Sequence, residues 1–303
     1  MAEQSDTDDP GCVACGWTAL KEKRCHYSSH VKLFYGASDR GVWSIGSDVI
    51  LKERPDEGPK AKIEAKTLGF LAKATAADTS IKIPAPKHIR DWVDRDRRYF
   101  TLTERIQGQT LEQAWPSLSE SQRISIADQI VQVRKQLRSK FTSTSMQTID
   151  QGPCYPGLLF LDIKPHGPFH SDLELWDALA LAYSNLPQPI FDKLRKGFPN
   201  SEPFVLTHGD LNLGNIMVQD GQVVGILDWE YAAYLPVWYD YISAAFAFTE
   251  MDVEWKNLLR ERLAVNDVSY DDVRVVWKDL ISLKKYPNLD EKGKAALERL
   301  TSK

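Results

Sequence analysis

The sequence predicts an α+β fold of two lobes, a small strand-rich N-terminal lobe and a larger helical C-terminal lobe. Short runs of β-branched and aromatic residues dominate residues 27–105, whereas long stretches of helical periodicity dominate residues 106–303. A chain of 303 residues is also about twice the length of an average domain. We therefore place a boundary at residue 105 and treat residues 1–26 as a separate N-terminal tail.

The N-terminal lobe is predicted to contain three strands and one helix. Residues 42–45 and 49–52 are rich in β-branched residues and flank Gly46-Ser47-Asp48, which is typical of two strands joined by a turn. Residues 59–76 have apolar side chains at helical spacing after a proline, and residues 99–103 resemble another strand. These elements suffice for a small sheet with one helix against it.

The C-terminal lobe begins with a change to helical periodicity. Residues 119–140 predict an amphipathic helix for which Ser119 is a suitable N-cap. Residues 152–169 are rich in glycine and proline and predict a long loop. Beyond residue 230 the pattern is helical to the end of the chain.

The charge balance excludes some classes of partner. The 38 lysines and arginines against 42 aspartates and glutamates give a net charge of −4, so no basic field attracts a nucleic acid or an acidic membrane. Residues 1–10 lack the pattern of a secretory signal, and the longest apolar stretch, residues 241–248, is too short to span a bilayer. We expect a cytoplasmic protein that is a monomer or weak dimer.

Three of the four cysteines lie close together near the N-terminus. Cys12, Cys15 and Cys25, together with His26, offer four donors of the kind that bind zinc. Because Cys25 and His26 are adjacent, their geometry is poor for two ligands of one ion. Reduced thiols are therefore the favoured interpretation, and a structural zinc is the alternative.

Residues 204–230 carry the strongest signal in the sequence. The pair Asp220-Gly221 stands between two β-branched runs and predicts a two-residue hairpin turn. The register then places Gln219 opposite Gln222. Continued to the open end of the hairpin, it places Asn215 opposite Ile226.

This hairpin brings two carboxylates and a carboxamide to one edge. Asp210 lies in the loop that leads in, Asn215 begins the first strand, and Asp228 follows the second. Phosphoryl transfer needs such a set, because hard oxygen ligands hold magnesium and a separate carboxylate orients the acceptor hydroxyl. We assign Asp210 to the hydroxyl, Asn215 and Asp228 to magnesium, and Glu230 to a second metal or its water shell.

One motif is His208-x-Asp210-x4-Asn215, and a second, Ile226-Leu227-Asp228-Trp229-Glu230, follows it. Together they resemble the catalytic residues of the aminoglycoside phosphotransferase and choline kinase-like family. The tryptophan-rich form of this sequence is similar to divergent fungal members. The resemblance implies a protein-kinase-like fold, with ATP and Mg2+ as cofactors and a small-molecule hydroxyl as acceptor. Gly209 stands where protein kinases usually carry arginine, which favours the small-molecule branch. Two alternatives remain open, a catalytically idle ATP-binding relative and a protein kinase.

A kinase fold also requires a lysine and a glutamate in the N-terminal lobe. Lys52 ends a predicted strand and Glu64 lies on the following helix, so we assign them to the nucleotide phosphates and to positioning of the lysine. The alternative is an ordinary strand-end lysine paired with Glu53 or Glu57.

The resemblance implies further roles for residues outside the catalytic stretch. Glu104 and Ile106 are expected at the hinge, where the backbone contacts the adenine, and Asp240 is expected to anchor the catalytic loop from a following helix. Residues 46–48 are a candidate for the turn over the phosphates. Asp162, in a sequence similar to a protein-kinase catalytic loop, is a weaker alternative to Asp210 because no His precedes it at the required spacing.

Two kinds of side chain compete for the acceptor. Acidic residues such as Asp172 and Glu174 favour a cationic amine or amino sugar. Aromatic residues favour an apolar acceptor or an ammonium group, and the alternative for them is core packing. The aromatic candidates are Trp229, Tyr231, Trp238 and Tyr239.

Overall fold

The computed structural model describes residues 30–244, 247, 249–267 and 269–301. The predicted tail, residues 1–26, and the zinc candidates Cys12, Cys15 and Cys25 lie outside these residues. Within them, a β-rich N-terminal lobe precedes a helical C-terminal lobe, which confirms the α+β fold class predicted from the sequence.

The N-terminal lobe is built on one antiparallel sheet of five strands, in the order β1-β2-β3-β5-β4. Helix α1 (Ile63–Ala77) follows a short 3-10 turn (Lys60–Lys62) and buries Leu68 and Leu71. The predicted strands and helix of this lobe are therefore present, and β1 and β4 add two edges that the sequence did not indicate. The strands are β1 (Val31–Ala37), β2 (Arg40–Ile45), β3 (Val49–Pro55), β4 (His88–Val93) and β5 (Arg98–Glu104).

The longest helix of the C-terminal lobe starts where the sequence predicts. Ser119 caps it by accepting a hydrogen bond from the Gln122 amide at 3.3 Å, while the Gln122 side chain accepts one from the Ser119 amide at 2.8 Å. None of the helices in the described ranges is both long and apolar enough to cross a membrane. The helices are α2 (Leu111–Ala114), α3 (Glu120–Lys140), α4 (Gly157–Phe160), α5 (Asp172–Ala180), α6 (Gln188–Gly197), α7 (Tyr239–Ser243), α8 (Glu250–Asn266), α9 (Asp271–Leu283) and α10 (Glu291–Thr301).

Two three-stranded sheets carry the catalytic stretch between these helices. One has the order β10-β9-β6 and the other the order β11-β8-β7. All of these strands are short, and they place buried side chains such as Phe204, Ile216 and Leu235 in the core while they position the loops between them. The strands are β6 (Gln109–Thr110), β7 (Thr142–Ser143), β8 (Phe204–Thr207), β9 (Ile216–Gln219), β10 (Gln222–Ile226) and β11 (Ala233–Pro236).

The predicted hairpin is present, but its register changes along its length. Asp220 and Gly221 both have positive φ, 50° and 74°, as a type I′ turn requires. Gln222 pairs with Gln219 as predicted, but the register shifts between Val223 and Gly225. An extra residue in β10 therefore moves Ile226 opposite Ile216, and the prediction that it faces Asn215 is wrong.

Buried tryptophans hold the catalytic loop against the helices. Trp255 of α8 donates from Nε1 to the carbonyl oxygen of Leu211 at 3.0 Å, and Trp229 donates to that of Ile226 at 2.8 Å. Both rings have 0% exposure, so each combines a large apolar contact with a satisfied N–H. Residues on either side of the hairpin are therefore fixed to the core.

Candidate active site

Lys52 joins the two lobes through a pair of carboxylates. Its Nζ lies 2.6 Å from Glu64 Oε1 and 3.3 Å from Asp228 Oδ1. Burial opposes its charge, but the charges of Asp228 and Glu64 outweigh burial and raise the pKa of Lys52. Burial raises the pKa of Glu64, whereas for Asp228 the Lys52 charge overcomes burial and lowers the pKa. The alternative pairing of Lys52 with Glu53 or Glu57 is wrong, since Glu53 binds Arg98 and Glu57 binds Lys60.

His208 connects the catalytic loop to the strand that leads to Asp228. Its Nε2 donates to the Leu227 carbonyl oxygen at 2.8 Å, and its Nδ1 accepts from the Asp210 amide at 3.2 Å. The Leu227 amide in turn donates to the Asn215 carbonyl oxygen at 2.7 Å. The backbone of Leu227 thus holds both segments directly beside Asp228.

The His208 ring is neutral at physiological pH. It is 1% exposed, and burial lowers its pKa to about 4. Below about pH 6.5 an unfolded chain protonates this histidine while the folded chain does not, so the contribution of His208 to folding stability is complete above that pH and is lost as the pH drops towards 4. A difference of this size corresponds to about 3 kcal/mol.

We expect His208→Gln to reduce the loss of stability between pH 6.5 and 4. Urea unfolding of the variant and the wild type at both ends of this range measures it. His30→Gln, at an exposed position, serves as the control. An equal loss of unfolding free energy in wild type and His208→Gln would contradict a buried, neutral His208 ring.

Asp210 is held in place by two amide side chains. The Asn215 Nδ2 donates to Asp210 Oδ2 at 3.1 Å and to its carbonyl oxygen at 2.9 Å, and the Asn212 Nδ2 donates to Asp210 Oδ1. Burial raises the pKa of Asp210, the nearby Lys256 charge lowers it, and Asp228 raises it further. The carboxylate is therefore oriented and partly desolvated, which suits a group that takes a proton.

Lys256 is a functional candidate that the sequence reasoning missed. It lies on α8, is 4% exposed, and lines a cavity together with Asp210. Burial lowers its pKa, and the charges of Asp210, Asp252 and Asp240 counteract this. One lysine on a charged helix carries no motif, so no signal in the sequence distinguishes it.

Asn215 and Asp228 provide oxygen atoms that suit magnesium. Because Asn215 uses its Nδ2 on Asp210, its Oδ1 remains for a cation, and the Asp228 side chain is 37% exposed to the cleft. Asp228 has φ 64° and ψ 60°, a conformation that a non-glycine residue adopts only when its surroundings hold it there. No group of three or more His, Cys, Asp or Glu side chains with metal-binding geometry occurs among the described residues. Kinase sites need fewer protein ligands, since phosphates and water complete the magnesium shell.

Glu230 points to two arginines of the N-terminal sheet. Arg54 Nη1 pairs with its Oε2, and Arg40 Nη1 lies 3.1 Å from Oε1 and 3.0 Å from Oε2. The Glu230 side chain is 8% exposed. The structure therefore gives this carboxylate two guanidinium partners, and its predicted metal role stays a prediction.

A cavity of about 470 Å3 lies between the N-terminal sheet and β9. Its lining includes Lys52 and Asp228 at one end and the predicted hinge residues Glu104 and Ile106. The prediction that residues 46–48 cover the phosphates is wrong, because Asp48 accepts the Arg105 amide at 2.7 Å at the hinge end of the sheet. Residues 40–42 of β2 line the adjoining cavity at the Lys52 end instead.

The acidic residues proposed for the acceptor have other partners. Asp172 accepts from Arg195 at 3.0 Å and from the Ser201 amide, and Glu174 accepts from the His170 amide at 2.6 Å. Neither lines the cavity beside Asp210.

Asp162 and Asp240 also have partners outside the catalytic loop. Asp162 pairs with His166 at 2.7 Å. Asp240 pairs with Arg134 of α3 at 3.2 Å, and its predicted role as an anchor of the catalytic loop stays a prediction.

The aromatic candidates for the acceptor fall into two pairs. Tyr231 and Tyr239 line the cavity beside Asp210. Trp229 and Trp238 are fully buried and belong to the core, as the alternative interpretation predicts.

Residues 32–272 match the model of the phosphotransferase enzyme family, which covers most of the chain. The chain therefore belongs to the phosphotransferase enzyme family. A comparison with curated proteins finds no match.

Solved structures of aminoglycoside phosphotransferases share the fold at low sequence identity. A thermostable mutant of APH(4)-Ia in ternary complex with AMP-PNP and hygromycin B is 12% identical over 93% of this chain and 94% of that chain, with a TM-score of 0.55. APH(2'')-Ib bound to ADP is 14% identical over 93% of this chain and 95% of that chain, with a TM-score of 0.52. The GDP complex of aminoglycoside 2'-phosphotransferase-IIIa is 15% identical over 93% and 95%, with a TM-score of 0.50.

Proposed function

We propose that this protein transfers the γ-phosphoryl group of ATP to a hydroxyl group of a small molecule, in a magnesium-dependent reaction. The observation that supports this most strongly is the Lys52–Glu64 pair 2.6 Å apart, with Lys52 also 3.3 Å from Asp228. Phosphoryl transfer is catalysed mainly by positioning and charge stabilisation, and these groups are placed for both. Residues 27–105 would form the nucleotide-binding lobe and residues 106–303 the lobe with the catalytic loop and the acceptor.

Each residue has one role in this proposal. Lys52 contacts the α- and β-phosphates and is positioned by Glu64, while the backbone at Glu104 and Ile106 contacts the adenine. Asn215 and Asp228 hold magnesium, which when bound neutralises charge on the phosphates.

The acceptor side of the reaction depends on Asp210. Its carboxylate orients the hydroxyl group and takes its proton as the hydroxyl oxygen bonds to the γ-phosphorus and ADP leaves. His208 positions Asp210 through the bond from the Asp210 amide to its Nδ1. Two neighbouring nucleotide complexes contain ADP and an ATP analogue and a third contains GDP, so GTP belongs in the same test.

The experiment that tests the nucleotide site is thermal unfolding with and without MgATP, on wild type and Asp228→Ala. We expect wild type to be stabilised by about 2.7 kcal/mol at a concentration 100 times Kd, and the variant to lose the magnesium-dependent part. Asp96→Ala removes a carboxylate that is 74% exposed in the turn between β4 and β5, and it should respond as wild type does.

The absence of a shift in wild type with either nucleotide would contradict the proposal. A shift without ADP release, across a library of hydroxyl compounds and peptides, would favour the idle relative. Transfer to peptides would favour the protein kinase.

A further inference from the structure

A second cavity, of about 270 Å3, opens on the catalytic loop and does not contain the residues assigned to the nucleotide. Asp210 and Asn212 of the catalytic loop are among its lining residues. Three tyrosine rings line it, Tyr155, Tyr231 and Tyr239. Because Asp210 is the proposed base, a molecule in this cavity has its hydroxyl group within reach of the reaction.

The lining of this cavity is mainly aromatic and apolar. Leu158 and Ile163 accompany the tyrosines, and the Ile163 side chain is 77% exposed at the mouth. Tyrosine rings give a large flat contact with an apolar body and a polar tip. Such walls favour a compact acceptor with a flat ring over an extended, heavily hydroxylated one.

The charges of the lining give no net attraction for a cationic acceptor, because Lys256 balances Asp210. Asp210 is the one carboxylate among the described residues of the lining, and Lys256 lines the same cavity. Each of these groups lies in the electrostatic range of the other. Asp172 and Glu174, which would have attracted an amine, are bonded elsewhere.

Lys256 supplies the one cationic side chain among the described residues that line the cavity. It is 4% exposed on α8, and the charges of Asp210 and Asp252 lie near it, as does that of Asp240, which is paired with Arg134. A buried ammonium group repels a second cation more strongly than a solvated one does, because less water screens the interaction. A carboxylate or other polar group of the acceptor meets a favourable partner at the same place.

We propose that the acceptor is a compact, ring-bearing alcohol that carries no positive charge, with its polar or anionic group directed to Lys256 and its ring between the tyrosines. This inference rests on the proposed function, since it identifies the cavity as the acceptor site. The proposed acceptor therefore differs in charge from hygromycin B, a polycation that is bound in one of the similar structures.

Three probes of nearly equal shape test the proposal by direct binding. They are 4-(hydroxymethyl)benzoate, which is anionic, 1,4-benzenedimethanol, which is neutral, and 4-(aminomethyl)benzyl alcohol, which is cationic. Titration calorimetry measures each Kd with and without Mg–AMP-PNP, and hygromycin B is included as a polycation. We expect the anionic probe to bind wild type about tenfold or more tightly than the cationic probe, a difference well within the strength of one charge pair.

Lys256→Met should reduce this discrimination to less than about threefold, by weakening the anionic probe and strengthening the cationic one. Lys256→Arg keeps the charge and should keep the preference. Lys294→Met, on an exposed face of α10, is the control and should match wild type. Thermal unfolding identifies any variant that fails to fold. The comparison of the three probes on wild type does not depend on the variants.

Several outcomes would overturn the inference. These are equal or tighter binding of the cationic probe, tighter binding of hygromycin B than of the anion, and no binding of any probe at millimolar concentration. An unchanged preference in Lys256→Met would overturn the assignment to that residue. Failure of the proposed function would give a different result. Wild type would then not bind Mg–AMP-PNP, whereas binding of the probes is also measured without nucleotide.

Discussion

Asp210→Asn is expected to lower the rate of phosphoryl transfer by about 10²–10⁴-fold, the usual contribution of a general base. The substitution keeps the shape of the side chain but removes its ability to take a proton. Because Asp210 lines the proposed acceptor cavity, and Lys52 and Asp228 line the proposed nucleotide cavity, affinity for the Mg–nucleotide should change little. ADP release with a hydroxyl acceptor from a screened library measures the rate, and calorimetry with Mg–AMP-PNP measures the affinity.

The matched control for Asp210→Asn is Asn212→Ala in the same loop. Asn212 donates to Asp210 Oδ1, so its loss should affect the orientation of the base and not its chemistry. We expect a smaller decrease in rate for this variant. Equal loss of nucleotide affinity in Asp210→Asn and Asp228→Ala would refute the division of roles between the two carboxylates.

Arg134→Met is expected to cost about 3–5 kcal/mol of folding stability, the usual result of leaving a buried charge without its partner. Arg134 is 5% exposed on α3 and pairs with Asp240 at 3.2 Å and with Asp267. Its Nη2 also donates to the Val237 carbonyl oxygen at 2.8 Å. Burial raises the pKa of Asp240 and the Arg134 charge opposes this rise, so loss of Arg134 removes the main group that favours its ionised form.

Urea unfolding measures this loss, and two further variants interpret it. Arg138→Met removes a partner of Asp267 at 3.1 Å that is 30% exposed, and we expect a cost below about 1 kcal/mol. Adding Asp240→Asn to Arg134→Met removes the carboxylate charge that has lost its partner, and it should recover part of the folding stability. If the single and double variants were equally unstable, the packing of Arg134 and not its charge would be responsible.

The sequence predicted best where one local rule determines the result. Asp220-Gly221 defines its turn because both residues must take positive φ, and Ser119 defines the start of α3 because its hydroxyl group satisfies a free amide. The Lys52–Glu64 pair was predicted from the requirements of a kinase fold, and the structure brings the two side chains together. The family and the fold class were also confirmed.

The sequence predicted least where a result depends on distant contacts. The extra residue between Val223 and Gly225 shifts the hairpin register. Gly225 packs against Ile106, and a Cβ at position 225 would lie only 2.8 Å from Ile106 Cγ2. Strand β1 is an exposed edge with apolar side chains on both faces, so it lacks the alternation that identifies a strand. Lys256 reaches the cavity only because α8 packs on the catalytic loop, and no local pattern reports that packing.

The two arginines on Glu230 have a consequence for how the lobes move. Arg40 and Arg54 belong to the N-terminal sheet, whereas Glu230 directly follows the Asp228-Trp229 segment of the other lobe. Together with the Lys52–Asp228 pair, they form a row of oppositely charged side chains across the cleft between the lobes. Any opening of the cleft must separate these charged pairs. Because Arg54 and Glu230 are 10% and 8% exposed, salt in solution should screen their attraction only weakly.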